Sequence, residues 1–114
     1  MTSSKKISIC IPTYNRSETV YRLLTQIISF DLQDILDVIV IDDASTDDTY
    51  QHLIGLSDGD DIRISRNEKN VGLAGNILNC FTECKTEYLI YMADDEILYK
   101  DGIEELIILL EDFK

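Results

Sequence analysis

Two pairs of adjacent carboxylates, Asp42-Asp43 and Asp94-Asp95, each directly follow a short apolar run, and Glu96 extends the second pair. Carboxylates crowded in this way repel one another unless a cation or a donor-rich ligand lies between them. Hard oxygen donors at this density suit Mg²⁺ or Mn²⁺, and such a metal is commonly completed by substrate phosphates rather than by a protein cage. A bound cation also reverses the local sign, so an acidic site can still hold an anionic ligand. A structural role competes for the first cluster, because Asp42, Asp43, Asp47 and Asp48 could simply cap a helix and line its positive end. For Asp94-Asp95, at the end of a buried apolar strand, the functional reading is favoured.

Other chemistries are poorly served. His52 is the only histidine and falls on a polar helical stretch, so it reads as a surface residue, and nucleophilic schemes that need a placed imidazole lose their base. There is no GxxxxGK[ST] loop, and Gly72-Leu73-Ala74-Gly75 opens a helix without being GxGxxG. Gly72 reads as permitting a tight turn at that helix start. Tyr14 offers a face for stacking on a nucleobase, or core packing.

The elements that position these groups follow from hydrophobic periodicity. A first strand, Ile7 to Ile11, is expected to close at Pro12, which cannot donate to a central ladder. Val20, Leu23, Leu24, Ile27 and Ile28 then fall at helical spacing, with Ser17 as N-cap and Glu18 in the first turn. Val38 to Ile41 is apolar on both faces, as a strand covered by helices on both sides should be. Ser45 with Asp48 three residues on reads as an acidic capping box for a helix to about Leu56, followed by turn residues Ser57 to Asp60. A short strand, Ile62 to Ser65, leads to a helix over about Leu73 to Cys84. The last strand, Tyr88 to Met92, leads to a helix from about Gly102 to the C-terminus.

Strands alternating with helices imply βαβ units, hence a Rossmann-like three-layer α/β/α fold with a mainly parallel sheet, here in the order 3-2-1-4. Ligands of such sheets bind beyond the carboxyl ends of the strands. Those exits are Thr13 to Arg16, Asp42 to Ser45, Arg66-Asn67 and Ala93 to Glu96. The topology therefore gathers an aromatic, one or two basic groups and both carboxylate pairs along one edge.

At 114 residues the chain suits one domain, residues 1–114, burying roughly 65% of its unfolded surface. With 22 acidic against 10 basic residues, the net charge is -12, which argues against sequence-independent nucleic-acid binding and against docking on anionic lipid. No apolar run reaches the ~18 residues of a membrane span, and the N-terminal stretch, broken at Pro12, is not read as a signal peptide. Cys10, Cys80 and Cys84 show no metal-ligand spacing and suit no disulfide framework, so they read as free thiols in a reducing, cytoplasmic compartment.

Four segments in order resemble the family 2 glycosyltransferases: Ile9 to Arg16, Val40 to Thr49, Asn67 to Asn76 through Asn70-Val71-Gly72, and Asp94-Asp95. The resemblance spans nearly the whole chain and implies an inverting enzyme of the GT-A fold. Such an enzyme moves a sugar from a nucleotide-diphosphate donor to a glycan or lipid acceptor, with Mn²⁺ or Mg²⁺ as cofactor. It implies nucleotide-sugar binding by Pro12, Tyr14, Asp42, Asp43 and Asp94, with Tyr14 packing on the base and Asp43 accepting a hydrogen bond from it. Asp94 and Asp95 match the acidic motif in which one carboxylate contacts the ribose and the other holds the metal, here Asp94 and Asp95 respectively, with the reverse as the alternative. Bacterial surface polysaccharide synthesis is the commonest setting for the family, where the full-length enzyme can sit at the inner face of the membrane.

Three departures stand out. Met92 occupies the place of the leading acid in the family's Asp-x-Asp motif. Gly75 stands where relatives often have arginine, so that donor is either absent or supplied by Arg66. Family members are also longer, and their second half carries the acceptor site and the catalytic base, so no base is assigned here and the isolated chain is expected to show little transfer. The apolar run Leu106 to Leu110 suits a helix covered on more than one side, by the rest of a longer enzyme or by a second copy in a homodimer. Two rivals remain at this stage. A phospho-receiver domain would share the size and the acidic pocket, but needs an aspartate at the exit of the third strand. The other is a nucleotide-binding module that does not catalyse.

Overall fold

In a computed structural model, which describes residues 5–57 and 62–112, the elements are β1 (Ile7–Thr13), α1 (Ser17–Ser29), β2 (Leu36–Asp42), α2 (Thr49–Ile54), β3 (Ile62–Arg66), α3 (Gly72–Thr82), β4 (Tyr88–Tyr91) and α4 (Lys100–Glu111). The strands form one sheet in the order β3-β2-β1-β4, and all three pairings are parallel. This is the expected Rossmann-like layering. Most of the expected turn after Ser57, and the last two residues of the chain, lie outside the described residues.

Strand parity sorts the core into two layers. Ile7, Ile9 and Ile11 of β1 join Leu36, Val38 and Val40 of β2 in one cluster, with Val20, Leu23, Leu24 and Ile27 of α1, Leu53 of α2 and Ile103 of α4. The intervening positions, Cys10, Ile39 and Ile41, meet Cys80 of α3 on the other face. Every residue of β1 and β2 is buried, which is why their central positions are apolar on both faces rather than alternating. Each fully buried Leu or Ile contributes about 2 kcal/mol by removal of apolar surface from water. On the α3 face, Arg63 pairs with buried Asp37 at 2.7 Å and also donates to the Glu83 carbonyl, tying β2, β3 and the end of α3 together.

Pro12 corrects one expectation. It lies inside β1, opposite Ile41 of β2. The Cys10 carbonyl accepts from Met92 N and the Thr13 carbonyl from Asp43 N, so by alternation the Pro12 nitrogen faces the β4 side. Its missing donor ends the β1–β4 ladder just as β4 finishes, while pairing with β2 runs on. The residues after β4 are thereby released from the sheet to form a loop.

The expected helix caps also differ. Ser17 is already helical, and its Oγ lies 2.8 Å from Nδ1 of His52, whose exposed ring stacks on Tyr21. Ser45 does not cap α2, because its hydroxyl is held by Asp42. Instead Asp47 accepts from the Thr49 backbone N–H and hydroxyl at the start of α2. In α4, Ile108 and Leu109 are 68% and 54% exposed, the open face that the apolar run implied. No described helix is long and apolar enough to cross a membrane.

The three cysteines are free. Burial pushes the Cys10 and Cys80 thiols up to about 12. Burial also raises Cys84, but hydrogen bonds with Ser8 and with the Thr86 backbone and hydroxyl outweigh it and bring this half-buried thiol below its ordinary value. Because the thiolate is the reactive form, an aromatic disulfide reagent should titrate one thiol in the native chain and all three after unfolding. Rapid reaction of two or three thiols in the native chain would contradict this packing.

Candidate nucleotide-binding site

The carboxyl end of β2 carries two buried carboxylates, Asp42 at 0% and Asp43 at 3% exposure, which successive strand positions send to opposite sides. Asp42 accepts from the Ser45 backbone N–H at 2.9 Å and from the Ser45 hydroxyl, and Arg66 Nε lies 3.6 Å away. Arg66 also donates to the Ser45 carbonyl and sits over the Tyr50 ring. To make this tight turn Ala44 adopts φ 59°, a left-handed conformation that costs a residue with a Cβ about 1 kcal/mol.

Ser45 passes the constraint to the β1 exit, where its hydroxyl oxygen accepts from Asn15 N at 2.8 Å. Asn15, itself at φ 51°, accepts through Oδ1 from the backbone N–H groups of Thr46 and Asp47. The two exit loops are therefore latched together, with Tyr14 and Arg16 flanking the latch.

Asp43 turns the other way. Its Oδ1 accepts from Asn67 Nδ2 and from Val71 N, both at 2.9 Å, and its Oδ2 accepts from Gly72 N at 3.0 Å. Gly72 has φ 83°, a conformation that glycine adopts without the Cβ penalty, so the tight turn read from the sequence is present. Behind this contact, Asn67 also donates to Asn76 Oδ1, Asn76 donates to the Ile41 carbonyl and Asn79 donates to Asn67. A chain of amides thus fixes both the carboxylate and the start of α3.

At the exit of β4, Asp94 is half-buried and accepts from the Thr13 hydroxyl at 2.8 Å. Asp95 is exposed, 4.0 Å from Arg16 Nη1. Met92 packs against the hydrophobic core, so the residue in place of a leading acid is spent on packing.

Between these exits lies a cavity of about 470 Å³, whose lining includes Pro12, Thr13, Tyr14, Arg16, Asp43, Asn70, Asn76, Asp94 and Asp95. Five of the six expected site residues are thus brought together. Asp42 is not among them, because Ser45 and Arg66 enclose it beneath the loop. Arg66 likewise points away from the cavity, and Arg16 is the cation on its wall. Thr13 and the latch residue Asn15 were not singled out individually from the sequence. The signal for Asn15 was an asparagine between two strand-exit residues, a type that tolerates positive φ.

Among the described residues no group of three or more His, Cys, Asp or Glu side chains forms a metal cage. At the β4 exit Asp94 and Asp95 set two carboxylates beside the cavity, a donor pair that fits a divalent cation taking its remaining ligands from a diphosphate and water.

Burial raises the Asp94 carboxyl above its ordinary value, and Asp95 adds to the rise, against the lowering effects of the Thr13 hydrogen bond and Arg16. A carboxyl whose folded pKa is raised stabilises the fold below its unfolded pKa, and that contribution is lost as pH rises through the folded pKa. Asp94→Asn keeps an acceptor for Thr13 and does not titrate. Its melting temperature should match the wild type at low pH and exceed it at neutral pH. A variant less stable than the wild type at neutral pH would contradict the burial argument.

The chain matches the model of glycosyl transferase family 2 over residues 8–114. It is 26% identical over 102 residues to the poly(ribitol-phosphate) beta-N-acetylglucosaminyltransferase TarS of Staphylococcus aureus, covering 88% of this chain and 18% of that protein. It is 30% identical over 105 residues to the GalNAc(5)-diNAcBac-PP-undecaprenol beta-1,3-glucosyltransferase of Campylobacter jejuni, covering 90% of this chain and 33% of that one. The chain therefore spans a third or less of these curated relatives. In structure it superposes on S. aureus TarS in complex with UDP-GlcNAc with a TM-score of 0.85 at 23% identity, over 94% of this chain and 31% of the other. It superposes on a mannosyltransferase of Pyrobaculum calidifontis in complex with GDP-Man and Mn²⁺ with a TM-score of 0.79 at 22% identity, over 93% and 32%.

Proposed function

The chain belongs to glycosyl transferase family 2, and from that premise we propose that it is the donor-binding part of an inverting, metal-dependent enzyme. The donor is a nucleotide-diphosphate sugar, and the acceptor is a hydroxyl of a glycan or lipid. The observation that carries this reading is the cavity at the strand exits, which sets an aromatic rim, a buried hydrogen-bond acceptor and two outer carboxylates around one space. Complexes of two structural neighbours with UDP-GlcNAc and with GDP-Man support a nucleotide-sugar ligand and leave the base open between uridine and guanosine.

The residues divide the work by position. Tyr14, 43% exposed, presents its face to the nucleobase, and Pro12 closes the cavity wall beside it. Asp43 accepts a hydrogen bond from the base. Asp94, held by Thr13, faces the ribose, and Asp95 holds the cation. A divalent metal bound there supplies Lewis-acid stabilisation of the departing diphosphate. Arg16 places a further positive charge 4.0 Å from Asp95, so the diphosphate end of the site is less negative than the net charge of -12 suggests. The general base that deprotonates the acceptor is proposed to lie outside this chain. Synthesis of bacterial surface polysaccharide, with the enzyme in the cytoplasm or peripheral at the inner face of the membrane, is the proposed setting.

The phospho-receiver alternative finds no support, since β3 ends on Arg66 and Asn67 where that chemistry needs a carboxylate.

Calorimetric titration with UDP- and GDP-sugars, with and without Mn²⁺, tests the proposal. Metal-dependent binding is expected, weakened about tenfold or more, 1.4 kcal/mol, in Asp95→Ala. Equal binding with and without metal, in both proteins, would remove the cation from the account. Binding of no nucleotide sugar would overturn the donor-site reading.

A further inference from the structure

The lone pairs of Asp43 can be counted, and the count bears on which nucleobase the cavity takes. A carboxylate offers about four acceptor positions, two on each oxygen. Asn67 Nδ2 and Val71 N occupy both positions of Oδ1, and Gly72 N occupies one of Oδ2. One position on Oδ2 remains. Asp43 lines the cavity although it is only 3% exposed, which leaves its carboxylate room for at most one further donor.

From this we infer that the site selects uracil over guanine and cytosine, an inference that rests on the proposed nucleotide-sugar reading and narrows it. Uracil presents one ring N–H between two carbonyl oxygens, and so asks for one acceptor. Guanine presents its ring N–H beside an exocyclic amino group, and so asks for two adjacent acceptors. Oδ1, already filled, cannot take the second, and guanine would bury an amino N–H without a partner. Such an unsatisfied group carries its full desolvation penalty into the complex. Cytosine carries no hydrogen on the corresponding ring nitrogen and would set a lone pair against the carboxylate.

The surroundings agree with a base flanked by carbonyls. Asn70 Nδ2 gives one proton to the Asp43 carbonyl, and an amide nitrogen has a second to donate. Asn70 also lines the cavity, where that proton can meet a uracil carbonyl. Asn67 is thus a specificity-determining residue that need not touch the ligand: it fills the acceptor position that guanine would require.

The test is equilibrium binding of UDP, GDP and CDP to the chain in the presence of Mn²⁺. UDP is expected to bind at least about tenfold more tightly than either competitor. Asn67→Ser, with a side chain too short to reach Asp43, should free a position on Oδ1 and narrow the UDP-to-GDP ratio by tightening GDP relative to UDP. Equal binding of UDP and GDP, or tighter GDP, by the unmodified chain overturns the inference while leaving the nucleotide site standing. Binding of none of the three overturns both. An unchanged ratio in a folded Asn67→Ser chain removes Asn67 from the argument, and should that variant not fold, the comparison in the unmodified chain still decides.

Discussion

Two neighbouring carboxylates buried at the end of one strand are the constraint on which the site depends. Burying an ionised carboxylate without partners costs several kcal/mol, so Asp42 and Asp43 are tolerated only because donors surround them. Successive strand positions face opposite ways, and the two therefore recruit different parts of the chain. Asp42 takes Ser45 and Arg66, and through Ser45 fastens the β2 exit to Asn15 at the β1 exit. Asp43 takes Asn67, Val71 and Gly72, and so fixes the start of α3. Three loops are set by one dipeptide, and the left-handed Ala44 is the strain accepted for it.

The same arrangement explains how so acidic a chain can present an anion site. The β2 carboxylates spend their charge on internal donors and leave little of it facing the cavity. The proposed diphosphate end is faced by Asp95, already beside Arg16, and by Asp94, which accepts from the Thr13 hydroxyl. In the proposed complex a divalent cation at that end would complete the reversal of sign. Release of the chain from the sheet after β4, where Pro12 offers no donor, lets these two residues turn into the cavity instead of continuing a ladder.

Much of this was legible in the sequence, for physical reasons that differ by element. Ile7 to Ile11 and Val38 to Ile41 could only be strands buried on both faces, and the βαβ alternation then led to the observed strand order. The rule that ligands bind beyond strand ends located the cavity. Which aspartate of the first pair faces the cavity was not legible, since it depends on parity at the last ladder rung and on the conformation of Ala44. The caps misled because Ser17 pairs with His52, remote in sequence, while Ser45 gives its proton to Asp42 and accepts from Asn15, so neither hydroxyl is left for a local backbone N–H. Arg66 looked available because its partner Asp42 also looked functional. Pro12 looked like a strand end because the side of the strand that loses its donor appears only once β1 is known to extend past β4.

If Asp43 organises the start of α3, the amides of Val71 and Gly72 should resist hydrogen exchange despite lying in an otherwise open turn, where Val71 is 42% exposed. Residue-resolved exchange on the unmodified chain and on Asp43→Ala measures this directly. The account predicts slow exchange at both amides in the former, and its loss in the variant while the β1–β2 ladder stays protected. Free exchange at Val71 and Gly72 in the unmodified chain, or equal protection in the variant, would contradict it.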